Sequence, residues 1–305
     1  MSKKTVLVML SSYNGEKYIE QQIRSILAQR DVDVYLRIRD DGSVDDTKSI
    51  IKQLFAEFPG RIELIEGENI GLNASFFALI GTAEGFDYYA ISDQDDYWLP
   101  EKLSVAIRSL EKENLDMPLL FASTSYLADD DLKPYGQTRR QVRPFTIYNT
   151  VIQNICPGHT QVMNNALLKF LQRDWETERI YVYDSWIMNI AMLYGKIIFS
   201  NSSFTLYRQH KGNQLGSGAG ALGQLLESGK RVQKNKGSLY REQIRYLLEC
   251  QKDKLEECGA AKEIGSFLKA SSILERILYS FRGKLYRQRK METMAFYFAY
   301  IVGKF

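Results

Sequence analysis

The sequence has few of the residues from which disulfide and zinc sites are built. Its 305 residues include 3 cysteines and 2 histidines. Cys156, Cys250 and Cys258 are odd in number, and none belongs to a CxxC motif or a Cys/His pair. Neither a disulfide framework nor a zinc site is supported, and this usage of cysteine is typical of a reducing cytosol.

Long hydrophobic runs are also missing. The longest run near the C-terminus, residues 294–302, has nine residues, about half of a membrane span. Lys3 and Lys4 precede only six apolar-leaning residues, too few for the apolar region of a signal peptide. We therefore expect neither a membrane-spanning helix nor an obvious route of export.

Two common phosphate-binding motifs are also missing from the loops after the strands predicted in the first hundred residues. No GxGxxG and no GxxxxGK[ST] follows the predicted strands, which disfavours a dinucleotide site and a P-loop.

The net charge of +3 conceals two parts of opposite sign. Residues 1–222 carry 23 Lys and Arg against 28 Asp and Glu, whereas residues 223–305 carry 17 against 9. A basic tail on an acidic body favours an anionic surface as partner, either a membrane or a nucleic acid.

Strand and helix patterns alternate through the first hundred residues. Apolar residues alternate along residues 32–38, and the helix that follows Asp45 and Asp46 is predicted to bury Ile50, Ile51, Leu54 and Phe55. Such alternation predicts βαβ units and a mostly parallel sheet. Residues 119–210 mix both patterns, residues 211–223 form a glycine-rich linker, and residues 222–305 are predicted to be helical.

Polar clusters follow three of the predicted strands, at Ser11–Asn14, Asp40–Ser43 and Asp93–Asp96. Ligands of parallel sheets bind beyond the carboxyl ends of strands, so these clusters indicate one site. Asp93 and Asp95 form a DxD arrangement, and carboxylates are ligands that Mg²⁺ and Mn²⁺ prefer. A solvated acidic turn is the alternative, but the position after a buried strand favours a cation site.

The motifs SSYNGEKYIEQQIRSILAQ, RDDGSVDDT, ENIGLN and ISDQDDYWLPEKL together resemble family 2 glycosyltransferases of the GT-A fold, over residues 5–105. Within that family the sequence is similar to bacterial rhamnosyltransferases of cell-wall polysaccharide synthesis. The resemblance implies an α/β fold with a Rossmann-like, mostly parallel sheet flanked by helices, and a helical C-terminal extension. It implies a catalytic domain over 1–215, with donor (1–105) and acceptor (106–215) halves, and an extension over 222–305.

The resemblance also implies the residues that bind the nucleotide-sugar donor and a divalent metal. The donor residues are Ser11, Tyr13, Asp41, Asn73, Asp93 and Arg208, with Tyr13 stacking on the base and Asn73 replacing an arginine of the family. Asp95 would bind Mn²⁺ or Mg²⁺, assisted by His210. The cations of the segment around Arg208 suit a leaving diphosphate, although surface placement of His210 is an alternative.

The acceptor side is expected around residues 156–186. In YVYDSWIM, Asp184 matches the catalytic base of the family, while Tyr183 replaces a glutamate; the alternative for Asp184 is a helix N-cap. Inverting transfer needs one base to deprotonate the acceptor hydroxyl. Gly158, His159 and Trp186 would line the acceptor pocket, with a core position as the alternative for Trp186.

The basic tail contains an amphipathic pattern over residues 272–290. Ile273, Ile277, Phe281 and Leu285 recur every four residues among arginines and lysines, which suits a peripheral helix on an anionic membrane. A helix packed on the catalytic domain and a homodimer contact are alternatives. Nucleic acid is disfavoured, since no recognised binding module accompanies the charge.

Taken together, the residues and the resemblance predict a metal-dependent inverting glycosyltransferase on the cytoplasmic face of the cell membrane. The expected donor is dTDP-β-L-rhamnose and the expected acceptor a lipid-linked saccharide. A UDP-hexose donor is one alternative, and a non-catalytic nucleotide-sugar-binding or scaffold protein is another.

Overall fold

The computed structural model describes residues 3–210 and 236–305. The first part of the chain alternates strand and helix: β1 (Lys4–Ser12), α1 (Ile19–Leu27), β2 (Val32–Asp40), α2 (Thr47–Glu57), β3 (Ile62–Glu66), α3 (Leu72–Gly81) and β4 (Tyr88–Ser92). The strand pairs β1–β2, β1–β4 and β2–β3 are all parallel. The predicted βαβ units are therefore confirmed.

The second part is mixed. It contains β5 (Tyr97–Trp98), α4 (Lys102–Leu110), β6 (Leu119–Ala128), β7 (Pro134–Gln137), α5 (Ile147–Thr150), β8 (Val162–Asn164), α6 (Asn165–Leu171), α7 (Tyr183–Tyr194) and β9 (Lys196–Arg208). Strand β8 runs antiparallel to both of its neighbours, β4 and β6. Across the described residues the sheet has nine strands in the order β3-β2-β1-β4-β8-β6-β9-β5, with β7 beside β6.

Both faces of the sheet are buried. Along β1, Leu7 and Met9 belong to one apolar cluster, whereas Val8 and Leu10 belong to the other. Successive side chains of a strand point to opposite faces, so a strand covered on both sides is apolar throughout. The predicted stripe of α2 is correct for Ile51 and Leu54, which are buried, but wrong for Phe55, which is 49% exposed.

The C-terminal part from residue 236 is mainly helical, as predicted, but the amphipathic segment 272–290 is helical only over Ile273–Arg282, and Leu285 of its predicted apolar face is buried. Its helices are α8 (Lys236–Cys250), α9 (Lys252–Glu257), α10 (Ala261–Lys269), α11 (Ile273–Arg282) and α12 (Lys290–Ile301). Phe267, Phe296 and Tyr300 from these helices are buried in the same apolar cluster as Leu7 and Met9 of the sheet. The glycine-rich linker and the predicted boundary between residues 215 and 222 lie outside the described residues.

Candidate active site

Three polar loops meet at the carboxyl edge of the parallel strands, as the sequence predicts. The loops after β1 and β2 are joined because the N–H of Asn14 donates to Ser43 Oγ at 2.9 Å. The loops after β1 and β4 are joined by the amide of Gln94, which accepts from the N–H of Tyr13 at 2.9 Å and donates to its carbonyl at 3.1 Å. The ring of Tyr13 is 45% exposed above this edge.

Ser11 and Asp41 lie together on the floor of the site. Ser11 Oγ is 2.7 Å from Ser75 Oγ. The carboxylate of Asp41 accepts from the N–H groups of Ile70 and Gly71, both at 2.9 Å, and pairs with Arg39. Asp41 therefore fixes the loop before α3, and both of its oxygens already have partners in the protein.

Asn73 joins two elements of the protein to each other. Its amide donates to the carbonyls of Ile180 and Tyr181, at 2.5 and 3.1 Å, and accepts from the N–H of Tyr183 at 3.0 Å. The side chain thus connects the start of α3 to the start of α7, where Asp184 lies. Sequence reasoning missed this connection, since the partners are backbone groups more than 100 residues away.

The acidic loop after β4 is partly exposed at Asp93 and fully buried at Asp96. Asp95 Oδ2 is 2.8 Å from His210 Nε2, so the two predicted metal ligands are neighbours. Asp96 is fully buried and accepts from the N–H of Arg208 at 3.2 Å. Burial, followed by the repulsion of Asp93, raises the pKa of Asp95.

The guanidinium of Arg208 is almost completely buried and engages the protein. It donates to the carbonyl of Asp95 at 2.9 Å and to Gln21 Oε1 at 2.6 Å, and also bonds the carbonyl of Asp130. It lies 4.6 Å from the centre of the Tyr18 ring. The buried side chain of Arg208 therefore holds the acidic loop in place from within the protein.

Asp93, Asp96 and His159 form a group that can hold a metal ion, with ligand atoms all within 4.8 Å of one another. His159 Nδ1 lies 3.5 Å from Asp93 Oδ2 and 3.8 Å from Asp96 Oδ2. The latter oxygen is buried with no hydrogen-bond partner among the described residues. A buried carboxylate oxygen without a partner is costly, and a cation or a proton there would remove the cost. The two carboxylates and the imidazole of this group thus fit a divalent metal.

Lys102 is the positive residue nearest this loop that sequence reasoning missed. It is fully buried, donates to the carbonyl of His159, and lies 3.1 Å from the centre of the Trp98 ring. Burial lowers the pKa of Lys102 well below its usual range, while Asp96 and Asp93 act in the opposite direction. The motif WLPEKL gave no signal, because a lysine at the start of an amphipathic helix is usually exposed.

Asp184 lies in the first turn of α7 and not at its N-cap, which is Val182. Its Oδ2 accepts from the N–H of Gly158 at 3.0 Å and its Oδ1 from that of Ser185 at 2.6 Å. Burial raises the pKa of Asp184 to about 6, although these two hydrogen bonds lower it. A base with that pKa is ionised at neutral pH and still accepts a proton readily.

The three expected acceptor residues have different surroundings. Gly158 has no room for a side chain, since an added Cβ would lie 2.1 Å from the hydroxyl of Tyr183. His159 is buried, bonds Ser125 Oγ at 2.8 Å and stacks on Tyr207. Trp186 is fully buried and stacks on Tyr246, at 5.1 Å between ring centres. The expectation that Trp186 lines the acceptor pocket is therefore wrong, and the alternative, a position in the core, is correct.

Residues 7–172 match the model of glycosyl transferase family 2. The chain belongs to this family. Family 2 membership accounts for the three loops at one sheet edge and confirms the resemblance seen in the motifs.

The relatives agree with this placement. A dTDP-rhamnosyl transferase of Shigella flexneri is 28% identical over 222 residues, which cover 68% of this chain and 74% of that protein. The structure of Staphylococcus aureus TarS with UDP-GlcNAc has a TM-score of 0.57 at 16% identity, covering 98% of this chain and 89% of that one. The Pyrobaculum calidifontis mannosyltransferase with GDP-Man and Mn²⁺ has a TM-score of 0.58 at 15% identity, covering 100% and 86%. At these identities the structures show the fold, which is GT-A.

A search for membrane spans gave a negative result. Among residues 3–210 and 236–305, no helix of this family 2 glycosyltransferase combines the length and the apolar character needed to cross a bilayer.

Proposed function

We propose that this glycosyltransferase is an inverting rhamnosyltransferase that uses dTDP-β-L-rhamnose and a lipid-linked saccharide in cell-wall polysaccharide synthesis. The observation that carries the donor assignment is the similarity to the dTDP-rhamnosyl transferase of Shigella flexneri, which extends over 222 residues. The alignment with that transferase covers more of the chain than the motifs, which lie within residues 5–105.

The donor lies over the edge where the three loops meet. The exposed ring of Tyr13 stacks on the base, and Ser11, Asp41 and Asp93 surround the nucleoside. Asn73 and Arg208 act indirectly, because their side chains hold α7 and the acidic loop. A divalent cation bound by the acidic loop would offset the charge of the donor diphosphate.

Asp184 is the base. It takes the proton from the acceptor hydroxyl as that oxygen forms a bond to the anomeric carbon of the sugar. The bond from that carbon to the diphosphate breaks at the same time, so the configuration inverts and the electron pair leaves with the nucleoside diphosphate. The pKa of about 6 supports this role, since burial keeps the carboxylate reactive.

A donor screen tests the proposal. The protein is incubated with dTDP-β-L-rhamnose, UDP-glucose, UDP-galactose or UDP-GlcNAc and Mn²⁺ or Mg²⁺, and release of nucleoside diphosphate is measured with and without membrane-extracted acceptor. Turnover with the dTDP-sugar alone is expected. Turnover with a UDP-sugar alone overturns the rhamnosyl assignment, and binding of nucleotide without any turnover favours a non-catalytic protein.

A UDP-hexose donor is the second candidate. It is favoured by the fold shared with TarS, whose structure contains UDP-GlcNAc. The coverage of that structure is greater than that of the rhamnosyl transferase, but its identity is only 16%. At that identity a shared fold carries no information about the donor.

We also propose that helices α11 and α12 attach the enzyme to the inner face of the cell membrane. Both helices expose large apolar side chains: Ile273, Leu274, Leu278, Phe281, Met291, Met294, Phe298 and Val302. We call these eight residues the apolar face. Phe281 is 86% exposed and has Arg282 and Lys284 beside it in the sequence. Apolar side chains beside exposed cations suit the headgroup region of anionic lipid.

A further inference from the structure

A cavity of about 290 Å³ lies between the acceptor half and the C-terminal helices. Its lining includes Arg139, Arg287, Lys304, Tyr181, Tyr240 and Asn154. None of the described residues that line it is acidic. The volume is at the lower limit of ligand pockets, about 300 Å³, so the cavity can take part of a larger molecule.

Arg287 is the residue that points to a ligand. Its Nε is buried without a partner, and its guanidinium makes no hydrogen bond or ion pair with any described residue. A guanidinium has five N–H donors in a planar fork, and leaving the buried Nε–H unpaired is costly. The guanidinium otherwise lies 5.3 Å from the centre of the Phe296 ring, which accepts none of its N–H groups in a hydrogen bond. Desolvation accordingly lowers the pKa of Arg287. An anion in the cavity would satisfy this group.

The nearest carboxylate is already engaged elsewhere. Glu292 pairs with Arg139 at 3.1 Å and accepts from the amide of Gln153 at 2.8 Å. It therefore leaves the guanidinium of Arg287 without a hydrogen bond, although its charge acts on Arg287 through space. Among the described residues, no carboxylate forms an ion pair with Arg287 or Lys304.

The cavity adjoins the proposed base. The side chain of Asn154, in its wall, acts on the carboxyl group of Asp184 and lowers its pKa, against the effect of burial. The hydroxyl of Tyr240 lies 3.4 Å from Ser185 Oγ, on the residue after the base. An acceptor whose hydroxyl reaches Asp184 would therefore lie beside two residues of the cavity wall, Asn154 and Tyr240.

We propose that the cavity is an acceptor subsite for a phosphate-bearing saccharide, an inference that rests on the proposed function through Asp184. The phosphate binds the fork of Arg287, with Lys304 as a second cation, because guanidinium and phosphate oxygens form parallel charge-assisted hydrogen bonds. The rings of Tyr181 and Tyr240 provide apolar walls for the adjoining sugar. The acceptor is thus recognised by its anionic end as well as by its reacting hydroxyl.

Binding of model compounds tests the subsite without any transfer reaction. Glucose 1-phosphate, methyl glucoside and methyl glucuronoside are titrated by calorimetry or ligand-observed NMR in EDTA, which removes metal from the donor site. Only glucose 1-phosphate is expected to bind well, and Arg287→Gln is expected to weaken it about 10- to 100-fold. Arg287→Lys should restore part of the loss, and Arg282→Gln on the exposed side of α11 should have no effect.

Three results overturn the subsite: equal binding of the phosphate and the neutral glycoside, unchanged binding in a folded Arg287→Gln, or tighter binding of the glucuronoside. If Arg287→Gln fails to fold, the exposed Lys304→Gln provides the measurement, with about 3- to 10-fold weakening expected. The donor screen is independent of this experiment. Turnover only with a different donor rejects the rhamnosyl proposal alone, whereas negative binding with intact transfer rejects the subsite alone.

Discussion

The backbone N–H of Gly158 donates to Asp184 Oδ2 at 3.0 Å, and this bond joins the two halves of the candidate active site. His159, the next residue, belongs to the group that can hold a metal. Asp184 lies in the first turn of α7. The proposed base and the acidic loop are therefore held together through Gly158, a residue that has no room for a side chain.

Replacing Asp184 by asparagine should reduce transfer about 10²- to 10⁴-fold, because the acceptor hydroxyl loses its base. The dissociation constant for the nucleoside diphosphate should stay within about twofold, which calorimetry can measure. Asp174→Asn, at an exposed position near α7, is the matched control. Normal transfer by a folded Asp184→Asn would remove Asp184 from the mechanism.

Titration of Asp184 should move activity and stability in opposite directions. The folded state raises the pKa of this carboxyl from 3.8 to about 6. Its protonated form thus stabilises the fold fully below about pH 4, and this contribution is lost as the pH rises through 6. The loss is about 3 kcal/mol for a shift of about two units. Transfer requires the ionised form, so its rate should rise over the same window.

Thermal unfolding from pH 4 to 7.5 measures this effect against Asp184→Asn. The wild type should lose stability relative to Asp184→Asn as the pH rises. This trend does not depend on how much stability the substitution itself removes at any one pH. Parallel curves would contradict the raised pKa.

Gln94→Ala should weaken donor binding about 3- to 10-fold with little change in kcat. The Gln94 amide makes both hydrogen bonds that join the loops after β1 and β4, and each such bond contributes about 1 kcal/mol. Steady-state kinetics at varied donor concentration separates KM from kcat, and Gln53→Ala on the exposed side of α2 is the control. A change in kcat alone would mean that the loop junction does not position the donor.

Chelation with EDTA should abolish transfer, and Mn²⁺ or Mg²⁺ should restore it. Asp95→Asn should raise the metal concentration for half-maximal activity at least about 10-fold, because a ligand is lost. Asp131→Asn, whose side chain is 78% exposed, should leave it unchanged. Comparison with Asp96→Asn shows which end of the acidic loop binds the ion. Activity that persists in EDTA would contradict the metal requirement.

The triple change Leu274→Ser, Leu278→Ser and Phe281→Ser should abolish flotation with phosphatidylglycerol vesicles, because the apolar face loses much of its area. Val44→Ser, at an exposed position of the sheet domain, is the control. Truncation near residue 270 is a poor substitute, since Phe296 and Tyr300 are core residues. If flotation persists and the triple variant changes a dimer to a monomer, the apolar face is a contact between copies.

The sequence predicted those features that depend on local pattern. The period of apolar residues identified β1 to β4 and α1 to α3, and the polar strand ends indicated a shared site. The surroundings of Trp186 and Asn73 were not predicted, because they are built by residues far along the chain. A tryptophan in an amphipathic helix has the same local pattern whether its ring faces a ligand or Tyr246. The burial of Asp96 and Lys102 could not be predicted from the sequence either, since charged residues are seldom buried.

The burial of Lys102 also determines how much charge the acidic loop presents to the donor. Burial raises the pKa of Asp96 well above its usual range and lowers that of Lys102. Burial thus favours the neutral form of both the carboxyl and the amine, and the two residues contribute no net charge if both or neither is charged. The loop then offers the donor only the charges of Asp93 and Asp95, equal and opposite to one divalent ion. The buried lysine thus sets the net charge of the loop from inside the protein, although it never meets the donor.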